Sequence, residues 1–150
     1  MTATKNGYPN PYIYKVEYAF AEDVETIINV ELYLIEIVLK SGKSMIPIYG
    51  TPATLNFTEN QETSPAGILH KQKLSLYYPG IDLASQPALI ELQRKPVIAL
   101  IYFQNGLIKV MGSMENPALA APVFDSSAST GHTIAITCSS DEMAKFLHKT

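Results

Sequence analysis

A Gly-Lys-Ser tripeptide is the first group in the sequence whose residue types could bind phosphate. Gly42, Lys43 and Ser44 have the order found at the end of a phosphate-binding P-loop. That motif also requires a glycine five positions before Gly42, and Ile37 stands there. The segment therefore favours a simple turn with a solvated lysine.

Thiol and imidazole chemistry has few candidates in this chain. Cys138 is the single cysteine, so an internal disulfide or a cysteine metal site is excluded. In an extended chain His132 would lie roughly 20 Å from Cys138, too far for a catalytic pair. His70 and His148 also lack the close spacing typical of zinc ligands. We predict a buried, inert thiol.

The remaining polar groups also indicate no reaction. No sequence pattern pairs Glu31 or Glu36 with a second acid for glycosidase chemistry. Asn56-Phe57-Thr58 fits a glycosylation acceptor, but without a signal peptide we attribute it to chance. We therefore predict no catalytic, cofactor-binding or metal-ligating residue, and no cofactor. The alternative is an enzyme whose site is assembled from residues distant in sequence.

Length, charge and hydropathy exclude several classes of protein. The 150 residues suit one domain, and with 47% hydrophobic and 17% charged residues the chain can bury a core. The net charge is −3 and there is no basic run, so direct nucleic acid binding is not expected. The longest apolar run, residues 96–103, is far too short to span a membrane. No signal peptide is visible, so folding in a cytoplasm is expected.

Alternating and β-branched residues in the first half predict strands. β-branched residues favour a pleated strand over a helix. Residues 27–39 are read as a strand with a bulge near Leu34, although a helix also fits. Pro47 marks an edge strand. The predicted strands cover residues 12–20, 27–39, 45–49, 53–58 and 68–78, with a polar loop over 59–67.

The second half contains the clearest local signals. Residues 85–95 predict a helix, with Pro87 in its first turn and Pro96 ending it. The apolar run 97–103 predicts a strand buried on both faces, and Asn105-Gly106 predicts a type I′ turn into residues 107–111. A loop over 116–131, a last strand over 132–137 and a short C-terminal helix bearing Met143, Phe146 and Leu147 complete the chain. The fold class is mainly β, a sandwich or barrel with one short helix on the sheet.

The order of segments in the second half resembles a family of phage proteins. The quoted segments are GTPATLNFTEN (50–60), HKQKLSLYYPG (70–80), ALIELQRK (88–95), PVIALIYFQNG (96–106), LIKVMGSMENPA (107–118) and HTIAITCSSDEMAKFL (132–147). Together they are similar to small tail-associated structural proteins of phages and prophages from Bacteroidetes-type hosts. The resemblance covers roughly residues 50–147 and consists of strand, hairpin and loop order.

That resemblance implies a tail tube or tail-end component that binds itself, as a ring or stacked oligomer, and other tail proteins. Such a protein would be found in the virion, and in the host cytoplasm during assembly. We divide the chain into an extended arm, residues 1–11, and a single β domain, residues 12–150. We predict that contacts with other subunits lie in three segments: the arm, the polar loop over 59–67 and the loop over 125–131. The predicted contact residues are Tyr8, Pro9, Pro11, Tyr12, Glu59, Asn60, Ser64, Asp125 and Gly131.

One further alternative concerns the tyrosines. Tyr12, Tyr14, Tyr18, Tyr77 and Tyr78 would fill strands in the simplest interpretation, and aromatic residues are also enriched at protein interfaces. In a closed barrel the same side chains would line a ligand cavity. A non-catalytic ligand-binding barrel is therefore the alternative to an assembly protein.

Overall fold

The fold is described from a computed structural model, which covers residues 12–79, 83–124 and 131–148. Within these residues the protein is mainly β, with two sheets and a single short α-helix, an arrangement consistent with a β-sandwich. The strands are β1 (Ile13–Phe20), β2 (Val24–Glu31), β3 (Leu34–Leu39), β4 (Ile46–Ile48), β5 (Asn56–Ser64), β6 (Gly67–Pro79), β7 (Val97–Phe103), β8 (Ile108–Met111), β9 (Leu119–Phe124), β10 (Gly131–Ser140) and β11 (Lys145–Leu147), with α1 at Gln86–Arg94.

The larger sheet has seven strands in the order β2-β3-β11-β8-β7-β1-β4. Only residues 21–23, a 3₁₀ turn, separate β1 from β2, yet four strands lie between them in the sheet. In a flat sheet those two strands would be about 24 Å apart, whereas the linking chain spans at most about 14 Å. The sheet must therefore curl, which brings its β2 edge towards the end of β1.

Curling gives the larger sheet two packed faces. On the inside of the curl a cluster from β1, β2, β3, β7 and β8 is buried, and it includes Ile98 and Val110. On the other face Ile101 belongs to the main core, together with Leu74 of β6 and Ile134 of β10. Burial on both faces explains why β7 is continuously apolar, as the sequence predicted.

The smaller sheet has four strands in the order β5-β6-β10-β9 and packs on the main core. Leu89 and Leu92 of α1 are buried in the same core. The β5–β6 pair continues beyond β10, whose register with β6 ends at the pair Ser140 and His70. We call residues 61–69 the distal hairpin, and within it residues 62–69 pair only with one another. Its residues 61–68 are all exposed.

Several sequence predictions are confirmed. The helix begins and ends where the prolines indicated, with Ser85 at its N-cap position and Lys95 at its C-cap. The strands β1, β6 and β7 lie within a residue or two of their predicted bounds. β4 is an edge strand, as Pro47 indicated. The strands form two sheets in a sandwich-like arrangement, and no closed barrel is found among the described residues.

Three segments differ from their predicted form: one predicted strand is a pair of strands, and two predicted loops contain strands. Residues 27–39 form a hairpin, with the turn at Leu32 and Tyr33, whose apolar side chains conceal it. The polar loop over 59–67 belongs to β5 and its turn into β6; its residues are polar because the distal hairpin is exposed. The loop over 116–131 contains β9, whose Pro122 is tolerated at a sheet edge.

The predicted C-terminal helix was also wrong. Residues Lys145–Leu147 form β11, which pairs in parallel with β3 and antiparallel with β8. Phe146, expected on a helix, is paired with both neighbours, so ladder hydrogen bonds within the large sheet outweigh the local capping pattern. The Ser140 hydroxyl accepts a hydrogen bond from the Glu142 N–H, which makes a turn before the strand.

The hairpin between β7 and β8 is confirmed, but its turn type is not. A type I′ turn needs positive φ at both central residues, and among the described residues only glycines have positive φ. The Gly106 N–H donates to the Phe103 carbonyl, and the Phe103 N–H donates to Leu107. Together with the φ of +92° at Gly106, these bonds match a three-residue loop that ends in a glycine bulge.

This geometry predicts that a β-branched residue at the bulge is damaging. We expect Gly106→Val to lose about 1–3 kcal/mol of unfolding free energy, because valine is strained at positive φ. Gly106→Asn is the matched control and should lose less, since asparagine tolerates this region. Urea denaturation measures both. Equal stability of the two variants would contradict the glycine bulge.

Candidate functional site

A cleft of about 410 Å³ is lined by residues of both sheets. Its walls come from both sheets, from the loop after β8 and from the turn before β11. The lining residues are Ile27, Asn29, Ile35, Gln72, Val110, Gly112, Ser113, Met114, Glu115, Asn116, Cys138, Ser140, Asp141, Glu142, Met143, Ala144 and Lys145.

Residues of the cleft wall differ sharply in exposure. Gln72 and Cys138, which face each other across β6 and β10, are 3% and 5% exposed. Val110 is equally buried, whereas Met114 and Met143 are 42% and 62% exposed. The cleft therefore has a buried floor with two polar side chains and a flexible, sulfur-containing rim.

A carboxylate behind the floor holds the two sheets and the final turn together. Glu59 of β5 accepts a hydrogen bond from Gln72 Nε2 at 3.2 Å and from the Ala144 N–H at 2.7 Å, both at Oε2. Its other oxygen lies 3.6 Å from Lys109 Nζ. The Glu59 side chain is only 12% exposed. A carboxylate with several donors is satisfied in such a position, and its loss would leave those donors unpaired.

Lys109 is enclosed by aromatic rings as well as by the carboxylate. Its ammonium lies 5.4 Å from the centroid of the Phe57 ring and 5.4 Å from that of Phe146. Such cation–π contacts favour a charged lysine at a partly desolvated position. Together these contacts link β5, β8 and β11, so the position of the last strand depends on them.

The Gln72 amide has one atom without a partner. Because Nε2 donates to the Glu59 carboxylate, the orientation of the amide is fixed by chemistry, since a flipped oxygen would repel that carboxylate. Gln72 Oε1 is buried and accepts no hydrogen bond from any described residue. A buried acceptor left without a donor costs about 1–3 kcal/mol, so an unpaired one in a folded protein calls for an explanation.

The thiol of the floor is buried, as the sequence predicted. Cys138 Sγ donates to the Asn116 carbonyl at 3.1 Å. Burial, and to a lesser degree the nearby Glu59 carboxylate, raise the pKa of Cys138 above its ordinary value of 9.0. The thiol is therefore protonated at neutral pH, which disfavours a nucleophilic role.

Thiol labelling tests this environment directly, since Cys138 is the single cysteine. We expect slow reaction with a thiol reagent in native buffer at neutral pH and fast reaction in urea. The raised pKa of Cys138 also makes the free energy of unfolding depend on pH. Its contribution is fully present below pH 9.0 and is lost as the pH rises through the pKa of the folded state, because the thiol of the unfolded chain ionises first. Equal labelling rates with and without urea would contradict a buried thiol.

The histidines do not converge on a site. His148 Nδ1 lies 3.1 Å from Glu36 Oε1. His132 packs against the Phe124 ring at 5.3 Å. Among residues 12–79, 83–124 and 131–148, no three His, Cys, Asp or Glu side chains are grouped as metal ligands. None of the helices described there is long and apolar enough to cross a membrane.

The residues predicted to make contacts lie in different environments. Tyr12, Asn60 and Ser64 are exposed, the last two on β5. Glu59 is tied into the network described above. Gly131 is buried at the start of β10, where an added Cβ would lie 2.6 Å from the Tyr78 carbonyl oxygen, so its side is closed to a partner. Tyr8, Pro9, Pro11 and Asp125 lie outside the described residues.

Fold and site together define a two-sheet β protein with a cleft lined by both sheets. The cleft wall contains no tyrosine, so the predicted aromatic cavity is not this one. Comparison with known proteins adds no relative: no protein family model, no curated protein and no solved structure matches the chain.

Proposed function

We propose that this chain is a structural protein of a phage or prophage tail, in the tube or at the tail end, which acts by binding copies of itself and neighbouring tail proteins. It would reside in the virion and, during assembly, in the host cytoplasm. The order of its second-half segments suggests the tail, and the observation that carries self-association is one unprotected sheet edge.

Among the described strands, four form the edges of the two sheets: β2, β4, β5 and β9. Proteins commonly protect such edges with proline, with charge or by keeping the strand short. β4 has three residues and contains Pro47, β9 contains Pro122, and the outer part of β5 is polar. β2 has eight residues and no proline, and its two charged residues, Glu25 and Glu31, stand near its ends. It is the edge best suited to pair with another chain.

The side chains along β2 and in the turn after it also favour contact with another chain. Ile28 and Val30 are 45% and 41% exposed, and the turn that follows carries Leu32 and Tyr33 at 88% and 60%. Four neighbouring exposed apolar residues on a free edge are typical of an interaction site. The occupant we propose is a second copy of this chain.

The distal hairpin is the element of the second copy that we expect to dock there. A two-stranded hairpin without a third strand is marginally stable in water, so contact with a neighbour would stabilise it. It carries Ile68 at 50% exposure as an apolar anchor, together with the predicted contact residue Ser64. Two β2 strands paired antiparallel about Ile28 would instead set Glu25 opposite Glu31, which disfavours a symmetric contact. A hairpin-to-edge contact is heterologous and generates a ring when its rotation closes.

Light scattering of the purified chain tests the edge. We expect a mass that rises with concentration for the natural sequence and a monomer for the double variant Ile28→Lys and Val30→Lys, because buried lysines in the contact are costly. The matched control is Leu119→Lys with Val123→Lys, two residues on β9 that are each 58% exposed. A natural chain that stays monomeric at its highest soluble concentration would overturn self-association.

The predicted arm has its own test. A version lacking residues 1–11 should assemble less well than the full chain if Tyr8 and its neighbours bind another subunit. Assignment to the tail is tested separately by immunogold labelling and mass spectrometry of purified virions. If the chain self-associates but is missing from virions, the proposed self-association stands and the proposed assignment to the tail is wrong.

A further inference from the structure

We infer that the cleft is a binding site for an alkyl cation with hydrogen-bond donors, such as an alkylguanidinium or alkylammonium group. Three features of the wall carry this inference: an unpaired acceptor in the floor, uncompensated carboxylates at the rim and apolar side chains between them. β2 contributes to both surfaces: Ile27 and Asn29 line the cleft, whereas Ile28 and Val30, on the opposite face of the strand, do not.

The acceptor is Gln72 Oε1. Gln72 is 3% exposed and lines the cleft, and its Nε2 is held by the Glu59 carboxylate. The amide can therefore offer a ligand only its oxygen, which selects for a donor and excludes an anion. Oε1 is covered in this conformation, so binding requires that the side chains around it shift before a donor can reach it.

Charge at the rim selects for a cation. The wall contains three carboxylates, Glu115, Asp141 and Glu142, against one ammonium, Lys145. Lys145 Nζ lies 2.9 Å from Glu142, so that pair is compensated. Glu115 and Asp141 have no ion-pair partner among the described residues and are exposed at the cleft. An unpaired pair of acids raises the local concentration of cations.

Apolar side chains in the cleft wall are the part of the site that would contact the alkyl chain of the ligand. Ile27, Ile35 and Val110 lie in the wall, and Met114 and Met143 stand at its rim. A volume of about 410 Å³ is at the small end of the range for ligand sites. It suits a short alkyl chain with one polar head.

The experiment is an NMR titration of the natural chain with n-butylguanidinium, following the amides of Ser113, Ala144 and Lys145. N-butylurea is the neutral probe of the same shape. We expect saturable shifts confined to the cleft with n-butylguanidinium, and binding of the urea weaker by about threefold or more, since it lacks the attraction to the carboxylates. Equal binding of the two probes, or shifts scattered over the surface, would overturn the inference.

Two sets of variants keep the test independent of folding. Gln72→Leu should weaken n-butylguanidinium binding by about tenfold, because a charged donor loses its acceptor. Glu115→Gln with Asp141→Asn alters only exposed side chains and should weaken binding by about threefold. The control is Glu22→Gln with Glu91→Gln, two exposed acids outside both the cleft and the β2 contact, which should leave binding unchanged. An unchanged affinity in the rim variant would also overturn the inference.

The same chemistry is available from two sources, a free small cation or an arginine or lysine side chain of another protein. The capped tripeptides Gly-Arg-Gly and Gly-Lys-Gly distinguish them. Binding of a tripeptide as tight as that of n-butylguanidinium assigns the site to a protein side chain. Binding of n-butylguanidinium alone assigns it to a free cation, because the peptide backbone would then be excluded.

Discussion

Truncation of either Ile98 or Ile101 to alanine is expected to cost about 2–5 kcal/mol of unfolding free energy. The two residues lie on opposite faces of β7 and both are 0% exposed. Ile101 packs between the two sheets and Ile98 packs inside the curl of the larger one. The removed side-chain atoms lose their burial in each case, and the close-packed surroundings relax only partly around the cavity.

Urea denaturation of the two variants measures the two cores separately. Ile90→Ala is the control, since Ile90 of α1 is 49% exposed and alanine is at least as good a helix former. We expect a change within about 0.5 kcal/mol there. A large loss for Ile101→Ala with a negligible loss for Ile98→Ala would mean that the larger sheet has one packed face and does not curl.

The sequence was most informative where a local pattern and the tertiary structure agree. The helix has a proline at each end, and proline restricts the backbone wherever it occurs. β7 is apolar at every position because both of its faces are covered, so its burial follows from composition alone. Pro47 likewise indicated an edge without knowledge of the neighbouring strand.

Long-range pairing explains most of what the sequence did not predict. β11 has three residues, and its strand conformation depends on β3 and β8, which precede it by many residues. β9 is rich in alanine and contains a proline, so its pairing with β10 has little local signal. The β5 arm of the distal hairpin, residues 61–64, is polar on both faces, and that composition is equally typical of a loop.

One residue of the cleft floor, Gln72, could have been predicted from the alternation of inward and outward side chains along β6. Gln72 shares the inward face of β6 with Leu74 and Leu76, since residues two apart on a strand lie on one side. A glutamine at such a position predicts a buried polar group that needs partners. The partners themselves, Glu59 and the Ala144 N–H, come from distant segments, so no spacing in the sequence could identify them.

Replacement of Glu59 should reveal how far the two sheets depend on this network. We expect Glu59→Ala to cost about 2–3 kcal/mol, below the value for breaking a fully buried ion pair because the site is partly exposed. The loss has three components: the Gln72 amide and the Ala144 N–H lose their acceptor, and Lys109 loses its counter-ion while it remains 19% exposed. The turn before β11 should loosen first, since the Ala144 bond holds it.

Glu62→Ala is the matched control, because Glu62 lies on the same strand and also pairs with a lysine, Lys71, at 3.2 Å. Its side chain is 56% exposed, and exposed pairs contribute about 0.2–1 kcal/mol. Urea denaturation gives the two free energies, and hydrogen exchange at Phe146 reports on β11, because its N–H donates to the Tyr33 carbonyl. Equal losses for the two variants, with unchanged exchange at Phe146, would mean that Glu59 is an ordinary surface acid and that β11 is held by its backbone ladder alone.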